Sequence, residues 1–324
     1  LNIFIYKRED QMLFKYIKNS LKLLITFTFI FSIIGCSSVD ETLSNIESRG
    51  YEDSSRLVST EWLADNINDE NLVIIDVRKK EQYDEGHIPG AVHLTPGEVF
   101  QQEIDGVKGM LPSADHIAKH LSAIGAKPDS TILIYDGIKN LWATRGLWAL
   151  DVYGHKNTIL LDGVWTKWSA EGREISTTPP TVKASSYKFS GSPNTSIIAG
   201  WEEVLASVGD PSKLVCDTRT AEEYSGKDAR ADRGGHIPES VHLEWVKSNN
   251  DNHEFIEASQ LQSIYDEAGL TEGKTIYTLC QTAVRAAHTY FVLHDLLGYD
   301  NVKVYDGSWI EWGNNQELPL ETGG

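Results

Sequence analysis

"TIYTLCQTAVRAAHTYFVLHDLLGYDNVKVYDGSWIEW" runs from residue 275 to 312, and "TILIYDGIKNLWATRGLWALDVYGHKNTILLDGVWTKW" runs from 131 to 168. The two align without a gap at a constant offset of 144, pairing Asp136 with Cys280, Gly154 with Gly298, Gly163 with Gly307, Trp165 with Trp309 and Trp168 with Trp312. Self-similarity of that length means that the chain holds two copies of one folding unit. Upstream, "VIIDVRKKEQYDEGHIPGAVHL" (73–94) returns as "LVCDTRTAEEYSGKDARADRGGHIPESVHL" (214–243), with eight extra residues between the aspartate and the histidine of the second copy.

Each copy alternates short β-branched runs with amphipathic stretches. In the first, residues 73–76, 131–135 and 158–161 read as strands, and 60–67, 114–124 and 141–153 as helices. Nearly continuous apolar strands separated by helices predict an α/β fold, each copy a parallel sheet flanked by helices on both faces. The copies are expected over 57–175 and 197–320. The proline-containing segment "STTPPTVKASSYKFSGSPNTS" (176–196) reads as the linker between them.

The 324-residue chain has the composition of a globular protein, and its net charge of −18 argues against nucleic acid as a partner. Residues 1–35 depart from that average. Lys15, Lys18 and Lys22 precede an apolar run at 23–35, the pattern of a secretory signal and too short for a comfortable membrane span. The ending "IIGC" is similar to the lipobox of bacterial lipoproteins, which predicts lipidation of Cys36 and a lipid-anchored protein of the cell envelope, facing the periplasm or the exterior. Residues 36–56 are polar and read as a flexible tether.

Three cysteines are present, too few for a disulfide framework. Cys216, in "KLVCDTR", reads as a buried strand position, and a bridge between it and Cys280 stays open at this stage. Cys280 follows the strand expected at 275–279 and precedes a helix expected from about residue 286. In a parallel sheet, the loops that lead from strand ends into helices are where ligands bind. There the helix dipole and a ring of loop amides stabilise a thiolate. Arg285 adds a fixed cation, and the small side chains between let the backbone close over the sulfur. These are the ingredients of covalent catalysis by an activated cysteine. With four residues between Cys280 and Arg285, the ring suits one extra sulfur atom better than a phosphoryl group.

Taken together, "DVR…GHIPGA", "DTR…GHIPES", "CQTAVR", "AHTYFVL" and "YDGSWIEW" resemble the tandem-domain rhodanese family of thiosulfate and 3-mercaptopyruvate sulfurtransferases over about residues 57–316. The resemblance implies a catalytically silent first domain, which matches Asp136 in place of the cysteine, and a persulfide carried on Cys280. Gln281, Thr282, Ala283, Val284 and Arg285 would form the loop that cradles it. The implied reaction moves the outer sulfur of thiosulfate to cyanide or a thiol acceptor, with no metal or organic cofactor. Arg285 at the loop's last position favours thiosulfate. The alternatives are 3-mercaptopyruvate as donor, or a non-catalytic sulfur-binding module. Ala283 stands where glycine is common, so the loop is expected to adopt a conformation that alanine tolerates. Asp217 and Arg219 are matched by Asp76 and Arg78 in the first copy and read as a structural ion pair ahead of a substrate contact. Arg219 and Arg233 are the substrate-binding candidates, with Arg230 as a substitute for the latter. Glu223 stands where some family members carry a substrate-binding arginine. His87 and His236, present in both copies, are read as structural, and the paired tryptophans as packing residues.

Overall fold

The computed structural model describes residues 46–323. The signal-like segment and Cys36 lie outside them. In the first copy the strands are β1 (Leu57–Val58), β2 (Leu72–Asp76), β3 (Val92–His93), β4 (Gln102–Ile104), β5 (Val107–Met110), β6 (Thr131–Tyr135) and β7 (Thr158–Leu161). In the second they are β8 (Ile198–Ala199), β9 (Lys213–Asp217), β10 (Val241–His242), β11 (Thr275–Leu279) and β12 (Val302–Tyr305).

The first sheet has the order β1-β7-β6-β2-β3 and the second β8-β12-β11-β9-β10, all neighbours parallel. Strand for strand the two orders are the same, as a duplication requires. The central strands β6 and β11 are apolar along their length because both faces of the sheet are covered by helices. The β4–β5 hairpin has no counterpart in the second sheet.

Apolar side chains of both copies share one core, in which Ile134, Leu147 and Trp148 belong to the same cluster as Ile276, Phe291 and Leu293. The helices that follow the two central strands, Leu141–Val152 and Val284–Phe291, pack against each other. Both are buried nearly all round, as their mostly apolar and small residues require. The helix beginning four residues after Cys280 is therefore clamped in the joint between the copies.

The expected elements differ from the observed ones mostly by a residue at their ends. Two differences matter more. The helix after Cys280 begins at Val284, so Arg285 lies in its first turn and not in the loop. The stretch 46–56 is no tether. Ile46 is buried, and Arg49 donates to Asp162 of the first copy at 2.6 Å and to the Phe255 carbonyl of the second at 2.9 Å. Tyr51 Oη donates to the Ile256 carbonyl at 2.8 Å. These contacts make the segment a strap across both copies. The polar composition that suggests a tether conceals three anchoring side chains.

Candidate active site

Cys280 directly follows β11, and the turn after β12 holds its loop in place. Ser308 Oγ accepts from the Cys280 N–H at 3.2 Å and the Ala283 N–H at 3.1 Å, and donates to the Tyr305 carbonyl at 2.9 Å. The Trp309 N–H donates to the Cys280 carbonyl at 2.9 Å, and the Ile310 N–H to that of Gln281 at 3.1 Å. Gln281 Nε2 reaches the Arg230 carbonyl at 2.7 Å. The silent copy contributes as well, with Gln101 Nε2 donating to the Thr282 carbonyl at 2.9 Å. Gly109 makes that approach possible, since a Cβ there would stand 2.7 Å from Thr282 Cβ.

Ala283 does adopt the left-handed conformation that glycine would favour, with φ 57° and ψ 11°. The equivalent Lys139 has φ 55°, so the loop imposes this turn in both copies at about 1 kcal/mol per non-glycine residue. Ala283 is fully buried, and the surrounding hydrogen bonds hold it there.

In the first copy the same loop surrounds a carboxylate. Asp136, in the place of Cys280, accepts N–H donors from Ile138 (2.8 Å), Asn140 (3.1 Å), Trp142 (2.8 Å) and Ala143 (3.2 Å). Burial pushes its carboxyl up to about 6, against the pull of those four amides. Strand β6, loop and helix form a cradle of backbone donors around one anionic side chain. In the second copy the corresponding backbone positions are Thr282, Val284, Ala286 and Ala287, which occupy the same turn and helix. Cys280 is 1% exposed, and is unbridged.

Arg285 lies beside this sulfur but is not a free cation. Its guanidinium donates to both oxygens of Glu223, at 2.6 and 2.9 Å. Burial opposes its charge, but the hydrogen bond to Glu223 and the charges of Cys280 and Glu223 hold its pKa above the ordinary value. Glu223 also accepts from Arg230 at 3.0 Å and from the Thr220 N–H at 3.1 Å, closing the capping box of its own helix. Burial raises the Glu223 carboxyl, but Arg285, the Thr220 amide and Arg230 outweigh it and hold the pKa down at about 2. The three side chains leave one net positive charge next to the loop.

Two sequence-based candidates are corrected. Arg219 is buried against Asp217 (2.6 Å) and the Gly235 carbonyl (2.7 Å), with Trp309 under its guanidinium at 4.3 Å. Arg78 makes the same contacts with Asp76 and Gly86 in the silent copy. This arginine stitches strand end to turn and does not face a ligand. Arg233 donates to the carbonyls of Trp312, Gly313, Asn315 and Leu318, which completes the end of the Ser308–Trp312 helix. Its place beside the site is taken by Arg230, whose side chain is half exposed.

The structural readings of His87, His236 and Cys216 hold. His87 and His236 stack on Tyr83 and Tyr224 in the same geometry, at 3.8 Å and 7°. Burial pushes the Cys216 thiol far above its ordinary value, as suits an inert strand residue. Among the described residues no cluster of His, Cys, Asp or Glu could hold a metal ion.

Other residues that shape the site were missed by sequence reasoning. Arg145, fully buried, donates to Asp306 Oδ1 at 2.9 Å, and the Leu111 N–H donates to Asp306 Oδ2 at 2.7 Å. Asp306 lies two residues before Ser308, so this pair across the copies fixes the turn that fixes the loop. Arg145 is the one basic residue in a largely apolar helix, and that isolated cation was the available signal.

The rhodanese-like domain model matches this chain twice, over residues 59–171 and 201–315. A protein of Corynebacterium glutamicum named thiosulfate sulfurtransferase is 32% identical over 285 residues, 84% of this chain and 92% of its own length. The sulfur carrier protein TtuD of Thermus thermophilus is 33% identical over 287 residues, 85% of this chain and 99% of its own. Among solved structures, the anaerobic ergothioneine biosynthesis enzyme of Chlorobium limicola superposes with a TM-score of 0.75 at 22% identity, covering 85% of this chain and 72% of the enzyme.

Proposed function

This chain belongs to the rhodanese-like family, as two tandem domains, and on that premise we propose that it is a thiosulfate sulfurtransferase acting through a persulfide on Cys280. The observation that carries the reading is the Asp136 carboxylate with its four amide donors. A loop that gathers backbone N–H groups around an anion in one copy offers the same cradle to an ionised sulfur in the other.

In the first half-reaction the Cys280 thiolate attacks the outer sulfur of thiosulfate. The new S–S bond forms as the old one breaks, and sulfite leaves with the bonding electron pair. The terminal sulfur of the persulfide then carries the negative charge inside the loop of Gln281, Thr282, Ala283 and Val284. In the second half-reaction cyanide or a thiolate attacks that sulfur, thiocyanate or a new persulfide departs, and the thiolate returns. Arg285 balances the charge next to Cys280 throughout. Cys280 is almost wholly covered, so entry of the donor requires side chains at the rim to move while Arg285 stays on Glu223.

Mass spectrometry of the full chain after thiosulfate treatment tests this. The expected result is one added sulfur on Cys280, absent in Cys280→Ser, together with loss of thiocyanate formation in that variant. An unmodified Cys280, or transfer that survives in Cys280→Ser, overturns it. Steady-state rates with thiosulfate and with 3-mercaptopyruvate decide the donor, and a strong preference for the latter rejects thiosulfate.

The localisation proposal rests on sequence alone: export to the cell envelope and lipidation at Cys36, supported by the basic-then-apolar segment that ends in "IIGC". Among the described residues no helix is long and apolar enough to cross a membrane. Intact-mass analysis of membrane-fraction protein should give a chain that starts at an acylated Cys36, and an unprocessed chain refutes the anchor.

A further inference from the structure

The silent copy has a cleft of about 410 Å³ where the strands β2 and β6 end, at the place that corresponds to the Cys280 site. Its size falls in the range of small-molecule sites. Position by position, the substitutions between the copies open and neutralise it. Pro96 stands where the second copy has the buried Trp245, Leu141 where it has Arg285, and Gln82 where it has Glu223. The bulky ring and the ion pair that fill the second site are both missing from the first.

The cleft has two zones. Its interior wall is apolar, formed by Pro96, Ile138, Leu141 and Trp142, and Ile138 is 56% exposed although nothing polar requires it to be. Asp136 lies at the floor with its oxygens taken up by four backbone amides, so a second anion is not welcome there. The rim carries donors with no fixed partner. Among the described residues the Lys79 ammonium forms no ion pair, whereas Lys80 is paired with Asp84 and Arg78 with Asp76. The Thr95 hydroxyl likewise leaves the adjoining helix end uncapped.

We propose that this cleft is a second, non-catalytic binding site that takes a small organic monoanion, its flat apolar body against Ile138, Leu141 and Trp142 and its charged group at the rim on Lys79. The apolar wall supplies affinity, and the distribution of charge sets the orientation. An anion is favoured at the rim and rejected at the floor, and a cation finds no free carboxylate.

Titration of the full chain with naphthalene sulfonate, followed by calorimetry and by the Trp142 indole N–H resonance, tests the proposal. The expected result is saturable one-to-one binding that shifts that resonance, with the cationic naphthyl trimethylammonium at least tenfold weaker. Pro96→Trp, which installs the ring found in the second copy, should abolish binding. Lys79→Glu, an exposed change that leaves the fold intact, should weaken it at least tenfold, and thiosulfate turnover should be unchanged in it. Non-saturable binding, equal binding of the cation, or unaltered binding in Lys79→Glu overturns the proposal, whether or not Cys280 transfers sulfur.

Discussion

Replacing Glu223 by glutamine should make the protein less stable and its site more receptive to thiosulfate. Glutamine keeps the shape, and its carbonyl can still accept the Thr220 N–H, so only the charge that holds Arg285 and Arg230 is lost. Glu223 is held at about 2 against an ordinary 4.5, and at 1.36 kcal/mol per pH unit this corresponds to roughly 3 kcal/mol. Its side chain is 2% exposed, so solvent screening takes little from that figure. The value agrees with the roughly 3–5 kcal/mol lost when one partner of a buried pair is removed. Because the folded value is depressed, this stability is present above about pH 4.5 and disappears as pH falls toward 2. Urea denaturation should therefore show the variant about 3 kcal/mol weaker at pH 7, with the gap closing below pH 4.5. The released Arg285 adds a free positive charge beside Cys280, worth about 1 kcal/mol to an anionic donor at a partly exposed site. KM for thiosulfate should fall roughly fivefold. A variant with unchanged stability at pH 7, or with a raised KM, would refute the reasoning.

Three further substitutions probe the supports of the loop. Arg145→Met leaves Asp306 buried without its cation and should cost about 3–5 kcal/mol in denaturant unfolding; a loss under 1 kcal/mol would mean that the pair is dispensable. Ser308→Ala orphans the buried N–H groups of Cys280 and Ala283, which should cost about 1–3 kcal/mol and slow turnover about tenfold as the cradle loosens; wild-type kinetics would count against the scaffold role. His288 is fully buried, and burial lowers its pKa to about 3 against the pull of a hydrogen bond with the Lys139 backbone. Its contribution is present above pH 6.5 and is lost as pH falls toward 3, at about 1.4 kcal/mol per unit. Leucine at this position should flatten the wild-type loss of stability between pH 6.5 and 5.5, and parallel pH profiles for the two proteins would exclude the assignment.

The duplication made much of the fold legible. The apolar runs of β6, β7 and β11 stand out because parallel strands covered on both faces show no polar alternation, and their ends were read to the residue. Cys280 was legible because its partner position holds Asp136 in an otherwise matching segment. Long-range pairing was not. Arg285 and Glu223 are 62 residues apart and Arg145 and Asp306 are 161 apart, and no local pattern records which charges meet across a fold. Arg233 was misassigned for the same reason: it looked like a spare cation in an acidic protein, and four distant carbonyls consume it. Arg219 pairs with Asp217, two residues before it, which is the ion pair that its local spacing suggests. The strap at 46–56 was hidden by its composition, which reflects its solvent side and not its three anchors.

The four amides around Asp136 bear on how one half of a duplicated protein can retire from its chemistry. A loop shaped to hold a negative sulfur would be left with unsatisfied donors by most replacements, and the helix behind it would shift. Carboxylate oxygens meet the same hydrogens and cannot take on another sulfur. A carboxylate where the other copy has a thiol thus keeps the contour of the first domain intact, and that contour is what the second domain leans on through Gln101, Gly109 and Arg145.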